Sequence, residues 1–132
     1  IVQYNTNQNL VTQQFGPYPF SISRDRVTEE DAEGIFTQQE SVLLQKPNKI
    51  TKKDFDNWVQ ERGVYYPSDW DAKYQTVLSM HDTGEKDLKG GILYTPYGKG
   101  QFVYTSLAFF RQLPAGNIGA IKLMMNLLSA GK

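Results

Sequence analysis

The sequence predicts a layered α/β domain, and three stretches carry that reading. The final segment, Ala115 to Ala130, has helical periodicity: Ile118, Ile121, Leu123, Met124, Met125, Leu127 and Leu128 surround one polar stripe of Lys122, Asn126 and Ser129. Before it, the strand-like runs Gly90–Pro96 and Gln101–Leu107 flank Tyr97-Gly98-Lys99-Gly100, whose glycines on either side of one lysine are the turn chemistry of a hairpin. The third stretch opens at Thr51. Thr51-x-x-Asp54 is a capping box, and Phe55, Trp58 and Val59 behind it share one helical face, with Gly63 as the stop. Helices and strands mixed in a chain of this length bury their apolar sides in layers around one core.

The other elements follow in chain order. Ile1–Asn5 is apolar and β-prone, which predicts a strand already under way at the first residue. Gln13 to Ser23 holds Gly16, Pro17 and Pro19 among aromatics and is expected to be loop, with a short extended piece at Phe20–Ser23. Arg24 to Gly34, with its acidic cluster Glu29, Glu30, Asp31 and Glu33, matches no calcium-loop spacing and is expected to be a solvated segment. Ser41–Gln45 is a short apolar piece ended by Pro47. Lys46, Lys49, Lys52 and Lys53 then form a basic surface patch that Asp54 and Asp56 offset. Tyr74–Met80 is a strand candidate leading into His81-Asp82-Thr83-Gly84-Glu85. The closing helix, with so narrow a polar stripe, is expected to be largely buried and flat against a sheet.

Composition removes several function classes. Fourteen basic residues balance fourteen acidic ones in 132 residues, so the chain lacks the positive charge with which nucleic-acid binders neutralise phosphates. With no cysteine, thiol nucleophiles, disulfides and cysteine-ligated metals are excluded, and the compartment stays open. No apolar run approaches the ~20 residues that span a bilayer. Seventeen aromatic residues (eight Tyr, seven Phe, two Trp) supply core-forming area that the modest aliphatic content does not.

The candidate chemistry gathers in two places. His81 is the single histidine, and His81-Asp82-x-x-Glu85 sets three polar side chains in a loop at a strand end, where α/β sites tend to lie. Without a second histidine or a cysteine this is not a zinc site, and neither a metal nor a cofactor is expected. Serine catalysis is not expected either, because Ser79, Ser106 and Ser129 all lack the glycine-flanked elbow. The second place is Gly63–Trp70 (GVYYPSDW). There Tyr65, Tyr66 and Trp70 offer a recognition surface that sugars could stack on, with Tyr74 and Tyr97 as further aromatic candidates, while Trp58, on the apolar face behind the capping box, is expected in the core. Arg111, beside Phe109 and Phe110, must reach solvent or meet a carboxylate. Asp82 or Glu85 is the expected partner, and such a pair would shape a pocket rim.

From Pro47 onward, PNKITKKDFDNWVQERGVYYPSDWD and LSMHDTGEKDLKGGILYTPYGKGQFVYTSLAFFRQLPAGNIGA resemble the C-terminal region of large bacterial proteins, common among Bacteroidetes, that begin with a PIG-L (LmbE-like) deacetylase domain. Tyr97 to Leu107 is also similar to the late hairpin of trehalose-utilisation-type domains, which share the class I glutamine amidotransferase-like fold. The resemblance covers residues 47–132 and leaves 1–46 outside it. It implies part of a flavodoxin-like α/β sandwich that includes the late hairpin and C-terminal helix, with earlier βα units preceding Ile1, and a parent that is a periplasmic or secreted deacetylase-type hydrolase.

Two departures bear on activity. Amidotransferases use a cysteine that this chain lacks, and the Gly-His that often follows Ser-Leu in trehalose-utilisation-type domains is Ala108-Phe109 here. The expected function is therefore a non-catalytic accessory domain that binds a carbohydrate or the parent's catalytic domain. The alternative is a hydrolase or lyase site around His81, Asp82 and Glu85. A domain beginning inside a sandwich would expose a sheet edge, which predicts self-association as a twofold dimer through Ile1–Phe20.

Overall fold

The computed structural model describes residues 16–132. The strand expected at Ile1–Asn5 and most of the expected dimer segment lie outside the described residues. Nine short strands and three helices follow in order: β1 (Phe20–Ile22), β2 (Arg26–Val27), β3 (Ile35–Phe36), α1 (Val42–Gln45), β4 (Gly63–Val64), β5 (Pro67–Trp70), β6 (Gln75–Thr76), β7 (Leu78–Ser79), β8 (Ile92–Tyr97), β9 (Gly100–Thr105), α2 (Phe109–Gln112) and α3 (Ile118–Leu128). Three two-stranded ladders, β1–β5, β2–β4 and β3–β7, accompany a three-stranded sheet in the order β6–β8–β9. Every pair among them is antiparallel. The described residues are thus mixed α/β, built from small antiparallel sheets with no closed barrel among them, and the parallel sheet that a flavodoxin-like sandwich requires is not among these pairings.

The hairpin forms where its turn chemistry puts it. Tyr97 pairs with Gly100 across a two-residue turn, and the ladder runs without interruption to Ile92 opposite Thr105. Gly98 takes φ +56°, a region a side chain resists, whereas Gly100 does not lie among the positive-φ residues, so one glycine carries the turn. The six-residue strands also divide the core. Ile92 and Tyr94 of β8 face the main cluster, with Leu43, Leu44, Ile50, Phe55, Trp58 and Leu123. Leu93, pointing the other way, joins a smaller aromatic cluster of Phe20, Ile22 and Tyr74, edged by Tyr18, Trp70, Phe102 and Tyr104.

Three expectations need correction. The helix expected from Thr51 to Gly63 is one 3-10 turn, Lys52–Phe55. The capping box does form, with the Thr51 N–H donating to Asp54 Oδ2 at 2.7 Å. The next turn fails because the Trp58 indole N–H donates to the Asp54 carbonyl at 2.9 Å, the acceptor a continuing α-helix would offer the Trp58 backbone. Asn57 and Gln60 then take φ +61° and +66°. Phe55 and Trp58 are buried as expected, while Val59 is exposed.

Tyr74–Met80 is likewise not one strand. It breaks at Val77, so that β6 pairs with β8 and β7 with β3.

The third correction concerns α3, whose polar stripe faces inward. Asn126 is fully buried and Lys122 reaches Asp54 at 2.6 Å, while Ile118, Ile121, Met125 and Leu128 are exposed. The helix packs mainly on the Lys52–Phe55 turn and α1, not flat on a sheet. Gly119 permits this, because a Cβ there would overlap the Asp54 carbonyl oxygen. A stripe of polar residues marks the solvent side only when those residues lack internal partners, and here they have them.

No helix among the described residues is long and apolar enough to cross a membrane.

Candidate functional site

The His81–Glu85 loop leaves β7 and is closed by a pair of backbone hydrogen bonds between Met80 and Leu88 (3.1 and 2.8 Å). Within it, the Asp82 carboxylate points at the start of the acidic segment. It accepts the Thr28 N–H at 2.9 and 3.0 Å, the Thr28 hydroxyl at 2.7 Å and the Glu29 N–H at 2.9 Å. Glu29 answers by accepting the Thr83 N–H and hydroxyl, both at 3.0 Å. Two loops more than fifty residues apart therefore cap each other. Burial alone would push the Asp82 carboxyl up, but the N–H groups of Glu29 and Thr28 and the Thr28 hydroxyl outweigh it and hold the group below the ordinary aspartate range. The expected free, solvated run from Arg24 to Gly34 is instead pinned, with Val27 and Ala32 buried in the main core.

The other two members of the triad do not join Asp82 at one point. His81 Nδ1 lies 2.8 Å from the Asp82 backbone carbonyl, so that nitrogen carries the proton, and Nε2 lies 3.6 Å from Asp87 Oδ1. Glu85 is exposed, and its backbone N–H donates to the Asp82 carbonyl at 3.0 Å. Among the described residues no group of three or more His, Cys, Asp or Glu is arranged to hold a metal ion.

The Arg111 pairing is corrected: its Nε donates to Glu61 Oε1 at 2.8 Å, and neither Asp82 nor Glu85 is its partner. Glu61 follows the 3-10 turn and meets α2 because both Gln112 and Arg111 reach back to residues 59–61. Its second oxygen lies 3.4 Å from Arg26 Nη2, so one buried carboxylate serves two guanidiniums. The aromatic run Gly63–Trp70 divides. Tyr66 is 1% exposed with its hydroxyl beside Met80 Sδ, and burial pushes that phenol well above its ordinary range, so its ring belongs to the core. Tyr65 holds φ +59°, and its carbonyl accepts the Tyr104 hydroxyl at 2.7 Å and the Ser106 hydroxyl at 3.3 Å. Burial pushes the Tyr104 phenol up to about 12. Trp70 is half-buried at the rim of the aromatic cluster.

Sequence reasoning passed over Arg62. Its guanidinium is buried, donates to the Ala32 carbonyl at 3.0 Å and to the Phe55 carbonyl, and lies 5.8 Å from the ring centres of both Phe55 and Trp58. It also passed over the pairing of Tyr18 with Tyr97, which meet edge to face at 6.0 Å, with Lys73 Nζ 4.6 Å from the Tyr18 ring centre. Tyr97 is 59% exposed. An exposed tyrosine beside a hairpin glycine was a usable signal, whereas nothing local to Arg62 announces burial.

No family model, curated protein or solved structure matches this chain.

Proposed function

We propose that this chain is a non-catalytic accessory module of a bacterial PIG-L-type deacetylase-related protein. Its role is to engage a carbohydrate or the parent's catalytic domain. The observation that supports it is the use made of Asp82. A general base needs a lone pair free to take a proton, yet both oxygens of this carboxylate already accept hydrogen bonds from Thr28 and Glu29. The loop carrying the only histidine thus works as a fastener. A sugar ring would stack on the exposed Tyr97 beside Tyr18, since aromatic faces take the apolar side of a pyranose.

Titration with N-acetylglucosamine, followed by NMR, tests this. Resonances of Tyr18 and Tyr97 should shift in the parent and not in Tyr97→Ala, and His81→Ala should bind the sugar as the parent does. If the chain turns over an ester, amide or glycoside and His81→Ala abolishes that turnover, the hydrolase or lyase reading replaces this one. If sugar moves no resonance, carbohydrate is removed and the catalytic domain remains as the ligand.

A further inference from the structure

Glu61 sits in a strained stretch of backbone. Gln60 and Tyr65, on either side of it, take φ +66° and +59°, a left-handed region that side chains resist and that only firm surroundings maintain. Other parts of the chain supply those surroundings. The Gln60 N–H donates to the Glu30 carboxylate, and the buried Gln112 amide brackets residues 59–61. The Tyr65 carbonyl accepts the hydroxyls of Tyr104 and Ser106. What this clamped segment presents is one buried carboxylate whose two oxygens meet two guanidiniums, with Arg111 Nε 2.8 Å from Oε1 and Arg26 Nη2 3.4 Å from Oε2. Each guanidinium gives Glu61 a single nitrogen and has further N–H donors to offer. Arg26 is exposed and Arg111 half-buried, and among the described residues neither forms an ion pair with another acid. Arg111 also lies 4.9 Å from the centre of the Phe110 ring, a contact that steadies the guanidinium without using its donors.

We propose that Arg26 and Arg111 together bind the carboxylate of a small organic acid, with Glu61 as the residue that positions them. Charge and shape select this ligand class. Two guanidiniums against one carboxylate leave one positive charge uncancelled, which a second carboxylate balances. A phosphate dianion would instead leave an excess of negative charge beside a carboxylate that is already out of water. The planar fork of a guanidinium also matches a planar carboxylate, to which it can donate two parallel bonds. Because Glu61 holds both cations on its neighbouring oxygens, they are brought together before the ligand arrives, and less side-chain freedom is lost on binding. The strained backbone has its use here, since it sets the buried carboxylate between β2 and α2, which carry the two arginines. This inference does not rest on the accessory-module reading.

Titration of the full chain with sodium acetate, against sodium chloride at equal ionic strength, tests it through the arginine Nε–H resonances in NMR. Acetate should shift the Arg26 and Arg111 signals to saturation, and chloride should not. Arg26→Gln, at an exposed position, should keep the fold and weaken acetate binding by about tenfold or more, read at Arg111. Arg111→Lys keeps a charge beside Glu61 but loses the fork, and it should weaken binding as well, read at Arg26. Should Arg26→Gln fold poorly, Arg111→Lys decides alone. Inorganic phosphate, added as the dianion, should bind more weakly than acetate. Acetate shifts no larger than those of chloride overturn the proposal, as does binding that survives either substitution in a folded protein. Phosphate binding tighter than acetate overturns the choice of a carboxylate.

Discussion

Two polar networks tie distant parts of this chain together, and they differ chiefly in their access to water. At Asn126 of α3, Oδ1 accepts the Asn48 backbone N–H (2.9 Å) and side-chain amide (3.2 Å), while Nδ2 donates to the carbonyls of Leu43 (2.8 Å) and Asn48 (2.7 Å). At Asp82, one carboxylate likewise makes four contacts, all to Thr28 and Glu29. The bond counts match, but the surroundings do not: Asn126 is fully buried, whereas Asp82 is partly exposed and Thr28 is at the surface. If the Asn126 amide were lost, the Leu43 carbonyl it serves could not turn to solvent, and the half-buried Asn48 groups could do so only in part. The groups that Asp82 serves could. The difference teaches that a hydrogen-bond network is weighted by what replaces it, not by how many bonds it contains.

The sharpest way to break the comparison is Asn126→Leu, which keeps the branched shape of the side chain and removes all four bonds. The Leu43 carbonyl would be left in the buried core, and the half-buried carbonyl and N–H of Asn48 would lose their partner. Each unsatisfied buried group costs about 1–3 kcal/mol, so a loss of ~3 kcal/mol or more is expected in chemical denaturation. A loss under ~1 kcal/mol would show that the α1 loop can open to water, and the distinction between the two networks would fall.

Glu61 stands between the two cases. Its side chain is 10% exposed, but Arg111 is 34% and Arg26 59% exposed, so the cations can rehydrate while the carboxylate cannot. Glu61→Gln should therefore destabilise by about 1–2 kcal/mol, well below the cost of breaking a fully buried pair. Added salt should narrow the difference between parent and variant, since half of the network is screened. A salt-independent loss as large as that of Asn126→Leu would mean that Arg111 is effectively buried.

How far such networks can be read in advance depends on sequence separation. The β8–β9 hairpin was legible because its determinants, Gly98 and the alternating runs beside it, are all local. Phe55 and Trp58 were legible as core for the same reason, since apolar spacing marked the right faces even though the helix expected to carry them stops after one turn. Its early end turns on a side chain: the Trp58 indole takes the Asp54 carbonyl, and Gln112, more than fifty residues on, satisfies both the N–H and the carbonyl of Val59. Periodicity contains neither fact. The face of α3 was misread because Asn126 and Lys122 looked like a solvent stripe until Asn48 and Asp54 were brought to them. At the candidate site the loop after β7 was placed correctly, but the expected salt bridge from Arg111 was not. Glu61 lies in a stretch taken for helix and so was never considered as its partner.

The smallest of these effects is expected at Asp82. Asp82→Asn leaves one oxygen to accept and replaces the other with an N–H₂ group that faces N–H and hydroxyl donors, so the clamp loses about half its bonds. Because water can take up the freed N–H groups of Thr28 and Glu29, the loss should be about 1 kcal/mol, that of an exposed helix cap. Its pH dependence gives the stronger test. The folded-state pKa of Asp82 is lowered, so the stabilisation is present above the unfolded-state value of about 3.9 and is lost as pH falls through the folded value. Parent and Asp82→Asn should accordingly differ by a constant amount from neutral pH down to about pH 5 and converge below about pH 4. Asp54, also held low despite its burial, by Lys122 and Thr51, titrates in the same region in both proteins and cancels in the difference. Stability curves that stay parallel down to pH 3 would show that Asp82 gains nothing from its charge, and the clamp would then be a contact of shape alone.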